Sequence, residues 1–186
     1  MKEYFYNLEN ELSKYQNKNL TNNKNRSNCS GISHKVQHGQ DKVLGRYRNI
    51  GNQCDSSIFG VTKKMFCKKE DAFRLCQSNK KYPEIYQAIL ELGTLILPED
   101  FEYNQICLNK NFKCNPHIDG NNLGESYIVA FGEYTGGDLQ LYDSNDRIIN
   151  INIKYQLFKF NGSKIKHGTQ DFEGNRYSLV FYNFPV

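Results

Sequence analysis

Nothing in these 186 residues approaches 18 consecutive apolar positions, so no segment qualifies as a membrane-spanning helix. The opening residues, Met1-Lys2-Glu3-Tyr4-Phe5, lack the apolar centre of a signal peptide, which makes an intracellular protein, nuclear or cytoplasmic, the expectation. Cys29, Cys54, Cys67, Cys76, Cys107 and Cys114 include no Cys-x-x-Cys pair, which excludes a zinc ribbon or a thioredoxin-type motif. In a reducing compartment they stay as thiols. Tryptophan is absent, but 13 Tyr and 12 Phe exclude a wholly disordered chain. The length suits one domain with a real core and is short for two.

Acidic residues are scarce in one region. Between 14 and 81 there are 15 Lys and Arg against 4 Asp and Glu, or +11, whereas the remainder carries 9 against 16, or −7. The net charge of +4 conceals this division. A regional positive field attracts polyanions, and nucleic acid through its phosphates is the partner it best fits. The alternative is a solvated, Asn-rich flexible segment. No basic amphipathic helix stands out, so a membrane is not an expected partner. Oligomeric state is not encoded in any recognisable pattern.

Phe5, Leu8, Leu12 and Tyr15 recur at helical spacing over 3–16, which predicts a short amphipathic helix. From 17 to about 55 the chain is rich in Asn, Lys, Ser and Gly without periodicity, and reads as a basic arm or loop carrying Lys35, Lys42, Arg46 and Arg48. Cys29, His34, His38 and Cys54 offer ligand types suited to structural zinc at spacings that match no standard finger; as loop side chains they need no metal. Helices are predicted over 70–77 and 83–92, the second opened by Pro83 with Ile85, Ile89 and Leu92 on one face. After Pro98 the texture changes to short alternating strands over 103–109, 125–131, 138–142, 147–153, 155–160 and 175–184. The expectation is an α+β, mainly β chain: residues 1–60 as helix plus arm, residues 61–186 as a β-sandwich or barrel with supporting helices.

The chemistry concentrates in Cys114-Asn115-Pro116-His117-Ile118-Asp119. In extended backbone, residues two apart share a side, so His117 and Asp119 can offer an imidazole and a carboxylate to one metal ion. His167, 48 residues beyond Asp119, can complete two His and one carboxylate with positions left open, the facial arrangement of non-haem Fe(II) oxygenases. Cys114, three residues before His117, is expected as a small buried thiol. Arg176 follows His167 by nine residues on an alternating strand, where its planar fork suits a carboxylate. Gly132-Glu133-Tyr134-Thr135-Gly136-Gly137-Asp138-Leu139 reads as a turn between strands; without the Lys and the helix it is no phosphate loop.

His117-x-Asp119, His167 and Arg176 together resemble the signature of the 2-oxoglutarate and Fe(II)-dependent dioxygenases. His117-x-Asp119-x-x-Asn122 with Gly124, and Arg176-Tyr177-Ser178-Leu179-Val180-Phe181-Tyr182, resemble that superfamily's TET/J-base branch, over residues 83–186. The resemblance implies the double-stranded β-helix (jelly roll) and an enzyme that couples Fe(II), 2-oxoglutarate and O2 to hydroxylation of a C–H bond, with ascorbate as a candidate reductant. In that branch the bond belongs to the methyl group of 5-methylcytosine or thymine in DNA or RNA.

The same resemblance implies that His117, Asp119 and His167 bind iron and that Arg176, Ser178 and, by looser analogy, Asn109 hold 2-oxoglutarate. Asn122 and Tyr182 would then meet an extruded base, as flipped-base pockets do by edge contacts and stacking. Phe184 stands where animal TET enzymes carry His, which leaves the identity of the base open. A prolyl-type or other side-chain hydroxylase, a small-molecule hydroxylase and a non-catalytic nucleic-acid-binding barrel are the alternatives.

Overall fold

The computed structural model describes residues 1–15, 55–63 and 73–185. The basic arm up to residue 54, with the Cys29, His34, His38 and Cys54 set, lies outside the described residues. The chain begins with a 3-10 turn, Lys2–Phe5, and helix α1, Tyr6–Ser13. Strands β1 (Asp55–Lys63) and β2 (Phe73–Leu75) follow, then the short helix α2 (Gln77–Lys81) and the longer α3 (Pro83–Ile96). The remainder is strand and turn: β3 Gln105–Lys110, β4 Leu123–Phe131, β5 Tyr134–Gly136, β6 Leu139–Tyr142 and β7 Ile148–Ile151. The last four are β8 Phe158–Phe160, β9 His167–Thr169, β10 Phe172–Gly174 and β11 Tyr177–Asn183.

The strands form a jelly roll. One sheet has the order β2-β1-β3-β11-β4-β8; a smaller one, β7-β6-β9, and the pair β10-β5 complete it. Every pairing between named strands is antiparallel. Alternation along the strands separates two cores, as period-2 geometry requires. Ile106 and Leu108 of β3, Val129 and Phe131 of β4, and Leu179 and Phe181 of β11 point outward and pack against Phe5, Leu8, Leu12, Ile85, Ile89 and Leu92 of the helices. Ile128 and Ala130 of β4 point inward and pack with Tyr134, Leu139, Ile153 and Phe160.

Pro83 at the first turn, where its missing N–H costs no hydrogen bond, starts α3, and the apolar stripe anticipated over 83–92 is its buried face. Helix α1 is also tied to the barrel through its first turn, where the Tyr155 hydroxyl donates to Glu9 Oε1 at 2.8 Å. Of the helix expected over 70–77, residues 70–72 lie outside the described residues, Phe73–Leu75 is instead an edge strand paired with β1 in the register Val61↔Leu75, Thr62↔Arg74 and Lys63↔Phe73, and helix begins only at Gln77. Phe73 and Leu75 remain exposed, so no apolar face was available to hold a helix here, while β1 offered a free backbone edge. Strand β1 itself runs through residue 60, where the arm was expected to end, and pairs with β3 from Asp55↔Lys110 to Gly60↔Gln105. No helix among the described residues is long and apolar enough to cross a membrane.

Candidate metal centre and anion pocket

His117 and His167 lie side by side and form an isolated antiparallel bridge. Each backbone N–H donates to the other's carbonyl, at 2.8 and 2.9 Å. The Nδ1 of His117 lies 2.7 Å from the Asn115 carbonyl, and that of His167 lies 2.8 Å from the Ile165 carbonyl. A carbonyl oxygen only accepts, so Nδ1 carries the proton in both rings and Nε2 presents its lone pair. The two Nε2 atoms face different oxygens of Asp119, at 3.4 Å from His117 and 3.6 Å from His167. All three donor atoms lie within 4.8 Å of one another. Donors about 2.1 Å from a shared ion sit about 3.0–3.5 Å apart, so the two imidazole–carboxylate distances are close to those of a ligand set, and the group as a whole would draw in slightly on an ion.

The surroundings hold this set in place. Asp119 N–H donates to the Gly162 carbonyl at 2.9 Å, and Asn122 donates to Asp119 twice, from its backbone N–H to the carbonyl at 2.9 Å and from Nδ2 to Oδ2 at 3.3 Å. Burial opposes the Asp119 charge, but when the two facing rings carry a proton on Nε2 as well as on Nδ1, their hydrogen bonds and charge outweigh it and hold the carboxyl well below the usual carboxylate range; with Nε2 bare, a bound cation would take that part. Phe160 packs edge-on against the His167 ring with centroids 4.8 Å apart. A Cβ on Gly162 would lie 3.2 Å from Asp119 Oδ2 and 3.4 Å from His167 Cε1, so a larger residue there would press on both side chains.

Arg176 faces the same cavity, of about 60 Å³. It is 2 % exposed, and among the described residues no carboxylate forms an ion pair with it. Burial pushes its guanidinium toward the neutral form. Its Nε donates to the Gly137 carbonyl at 3.1 Å, its backbone N–H donates to Asn111 Oδ1 at 2.8 Å, and the rings of Tyr134 and Phe172 flank it, each 5.5 Å from Cζ. Gly137, at φ +74, passes so close that a Cβ would come within 2.8 Å of Nε. A buried cation without an anionic partner is costly, and a bound carboxylate would satisfy it.

Arg176, Ser178, Val180 and Tyr182 share one side of the strand and all line the cavity. Ser178 is paired in register with Asn109, whose Nδ2 donates to Ser178 Oγ at 3.3 Å. Of the site residues anticipated from sequence, His117, Asp119, His167, Arg176, Ser178, Asn109, Asn122 and Tyr182 meet in this one cavity. Phe184 stands apart in an adjoining groove of about 490 Å³, which shares His117, Asp119, Asn122 and Tyr182 with it. The Tyr182 hydroxyl donates to Gln105 Oε1 at 2.8 Å, and Gln105 Nε2 donates to the Val61 carbonyl at 2.7 Å. Cys114 also lines the inner cavity, half-buried rather than fully covered.

Several contributors were missed in the sequence. Tyr134 and Phe172 reach Arg176 from different strands, and Ile58 and Thr62 of β1 line the outer groove. The only available signal was Tyr134 beside the Gly136-Gly137 turn; nothing marked β1.

No family model matches this chain, and no curated protein sequence does. Solved structures similar to it in fold include NgTET1 in complex with 5mC DNA, at 16% identity and TM-score 0.46. That match covers 81% of this chain and 64% of the other, so this chain spans under two thirds of its length. A second is a Burkholderia pseudomallei oxidoreductase of the 2OG-Fe(II) oxygenase family. It is 10% identical with TM-score 0.46, covering 70% of this chain and 67% of that one. A third, a Pseudomonas putida prolyl-4-hydroxylase, is 11% identical with TM-score 0.38, over 72% and 71% of the two chains.

Proposed function

We propose that this protein is an Fe(II)- and 2-oxoglutarate-dependent dioxygenase that hydroxylates the methyl group of a methylated pyrimidine, 5-methylcytosine or thymine, in nucleic acid. The observation that carries the reading is the pairing, in one cavity, of an open two-imidazole, one-carboxylate set with a buried guanidinium that lacks an anion. His117, Asp119 and His167 would hold the metal, and Asp119 in its charged form lowers the cost of a dication there. Arg176 would hold the far carboxylate of 2-oxoglutarate, with Ser178 and Asn109 beside it. When bound, these groups supply oxidative decarboxylation of 2-oxoglutarate by O2 coupled to hydroxylation of a C–H bond.

The chain's own share is binding, orientation and exclusion of water. Tyr134 and Phe172 cover the Arg176 guanidinium with their rings, and a carboxylate paired with it beside those apolar faces would be held more strongly than in water. Asn122 holds the Asp119 carboxylate by its amide while also lining the outer groove. Apart from the ligands, that groove is walled by uncharged groups, among them Ile58, Thr62, Gln105, Tyr182 and Phe184. Such walls suit a planar uncharged group with hydrogen-bonding edges, as in pockets for extruded bases. One wall comes from β1, which lies within the basic 14–81 stretch proposed here to contact phosphates.

The test is mass spectrometry of nucleosides after incubation of the protein with Fe(II), 2-oxoglutarate, ascorbate and methylated DNA or RNA, with succinate followed in parallel. Hydroxymethylated pyrimidine in step with succinate is expected. Succinate with no altered nucleoside, together with oligonucleotide binding insensitive to salt, would move the substrate to a protein side chain or a small molecule.

A further inference from the structure

Ser56, Asn109 and Ser178 lie on adjacent strands of the main sheet and form one cross-strand row, in the register Ser56↔Asn109 and Ser178↔Asn109. All three are buried on its inner face, as is Cys107, two residues from Asn109 on β3. The Cys107 thiol donates to Asn109 Oδ1 at 3.4 Å, and Asn109 Nδ2 donates to Ser178 Oγ at 3.3 Å. Ser56 Oγ lies 3.5 Å from Cys107 Sγ.

We propose that Cys107 is a positioning residue, which sets the orientation of the Asn109 amide and thereby makes Ser178 a hydrogen-bond donor toward the anion held at Arg176. This rests on the 2-oxoglutarate reading above. The reasoning is one of donors and acceptors. An amide has one donating and one accepting end, and a buried amide takes the orientation its neighbours impose. A thiol is a weak donor and a weak acceptor, but Ser56 Oγ can donate to Sγ, which leaves the one thiol proton for the carbonyl end of Asn109 and the NH2 end for Ser178. Ser178 Oγ, having accepted from Nδ2, keeps its own proton for a different partner. Arg176 and Ser178 line the same cavity two residues apart, and a carboxylate there is that partner. With the amide reversed, its oxygen would face Ser178 Oγ and draw the proton away from the cavity, turning a lone pair toward the anion instead.

Isothermal titration of 2-oxoglutarate into the Mn(II)-loaded protein, without O2, reads this directly. Cys107→Ala and Cys107→Val, which remove the donor at smaller and larger volume, are each expected to raise the Kd for 2-oxoglutarate about tenfold, the scale of one hydrogen bond to a charged group. Cys107→Ser keeps a donor and is expected to restore affinity to within about twofold of the wild type. The Kd for Mn(II) is expected to stay unchanged in all three, because the ligand set is untouched. Equal losses in the Ser, Ala and Val variants, or no loss in any, would overturn the positioning role while leaving the oxygenase reading standing. Failure of the wild-type protein itself to bind 2-oxoglutarate would overturn that reading and the positioning role with it.

Discussion

His117 and His167 are locked to each other through their backbones before any metal is considered: two reciprocal hydrogen bonds of 2.8 and 2.9 Å fix the strands, and the ring centroids stand 4.4 Å apart. The site is therefore built around a short cross-strand bridge, with Asp119 swung in from the turn that follows. A centre whose donors already face one point from a fixed backbone needs only a small closing movement to bind an ion.

Replacing either end of that bridge by a residue without a lone pair removes one ligand and leaves the scaffold intact, since the bridge uses backbone atoms only. His167→Ala is expected to weaken Mn(II) or Fe(II) binding by at least about a hundredfold, measured by calorimetry, and to abolish 2-oxoglutarate turnover. The circular dichroism spectrum should stay that of the wild type. Metal affinity within a few-fold of wild type would remove His167 from the ligand set.

Gly137 makes a different demand, because backbone and side chain conflict at one atom. At φ +74 any side chain is strained, and a Cβ would sit 2.8 Å from Arg176 Nε. Gly137→Ala is expected to cost about 1–3 kcal/mol, seen as a fall in Tm of about 3–10 °C. Gly120→Ala serves as the comparison, since a Cβ there meets nothing within 4 Å. It should change stability by less than about 0.5 kcal/mol. Equal effects at both positions would show that Arg176 is not constrained by the turn.

The clustering of His117, Asp119 and His167 was legible in the sequence because its information is local and chemical. His117 and Asp119 stand at strand spacing, and His167 and Arg176 needed only a plausible partner. Helix α3 was legible because Pro83 marks its start and its apolar stripe is continuous. Strands β1 and β2 were not, for opposite reasons. β1 carries Ser56, Ser57 and Gly60 where a strand signal wants β-branched or aromatic residues, and its hold on the sheet comes from β3, some fifty residues away. β2 shows apolar residues that mimic a helical face, yet they end exposed, and only its pairing with β1 makes it a strand. The Ser56, Asn109 and Ser178 row is invisible to any local pattern, since it exists only once register is known.

Tyr155 provides a pH-dependent clasp between the barrel and α1. Burial and the Glu9 carboxylate push its phenol up to about 12, while its hydroxyl donates to Glu9 and accepts from the Gly132 N–H at 3.2 Å. Because the folded value lies above the unfolded value of about 10, the native state holds the proton longer. The contribution is thus complete below about pH 10 and lost as pH rises toward 12. Tyr155→Phe is expected to cost about 1 kcal/mol at neutral pH, and the cost should shrink between pH 10 and 12 in denaturant titrations. A penalty constant across that range would show that the hydroxyl does not titrate with the fold.

Arg176 invites the opposite expectation for stability and for binding. Removing its charge loses the Nε bond to the Gly137 carbonyl, worth about 1 kcal/mol, but also removes a buried cation lacking a carboxylate, whose desolvation costs several kcal/mol even after flanking by Tyr134 and Phe172. The second effect is larger. Arg176→Met, similar in length and apolar, should therefore keep or raise the Tm of the protein without 2-oxoglutarate, while raising the Kd for 2-oxoglutarate about a hundredfold or more. Metal affinity should be unaltered. A guanidinium serving only the fold would give the reverse pattern, a Tm lowered by several degrees with co-substrate affinity unchanged. The two measurements together separate a residue retained for stability from one retained, at a cost to stability, for an anion.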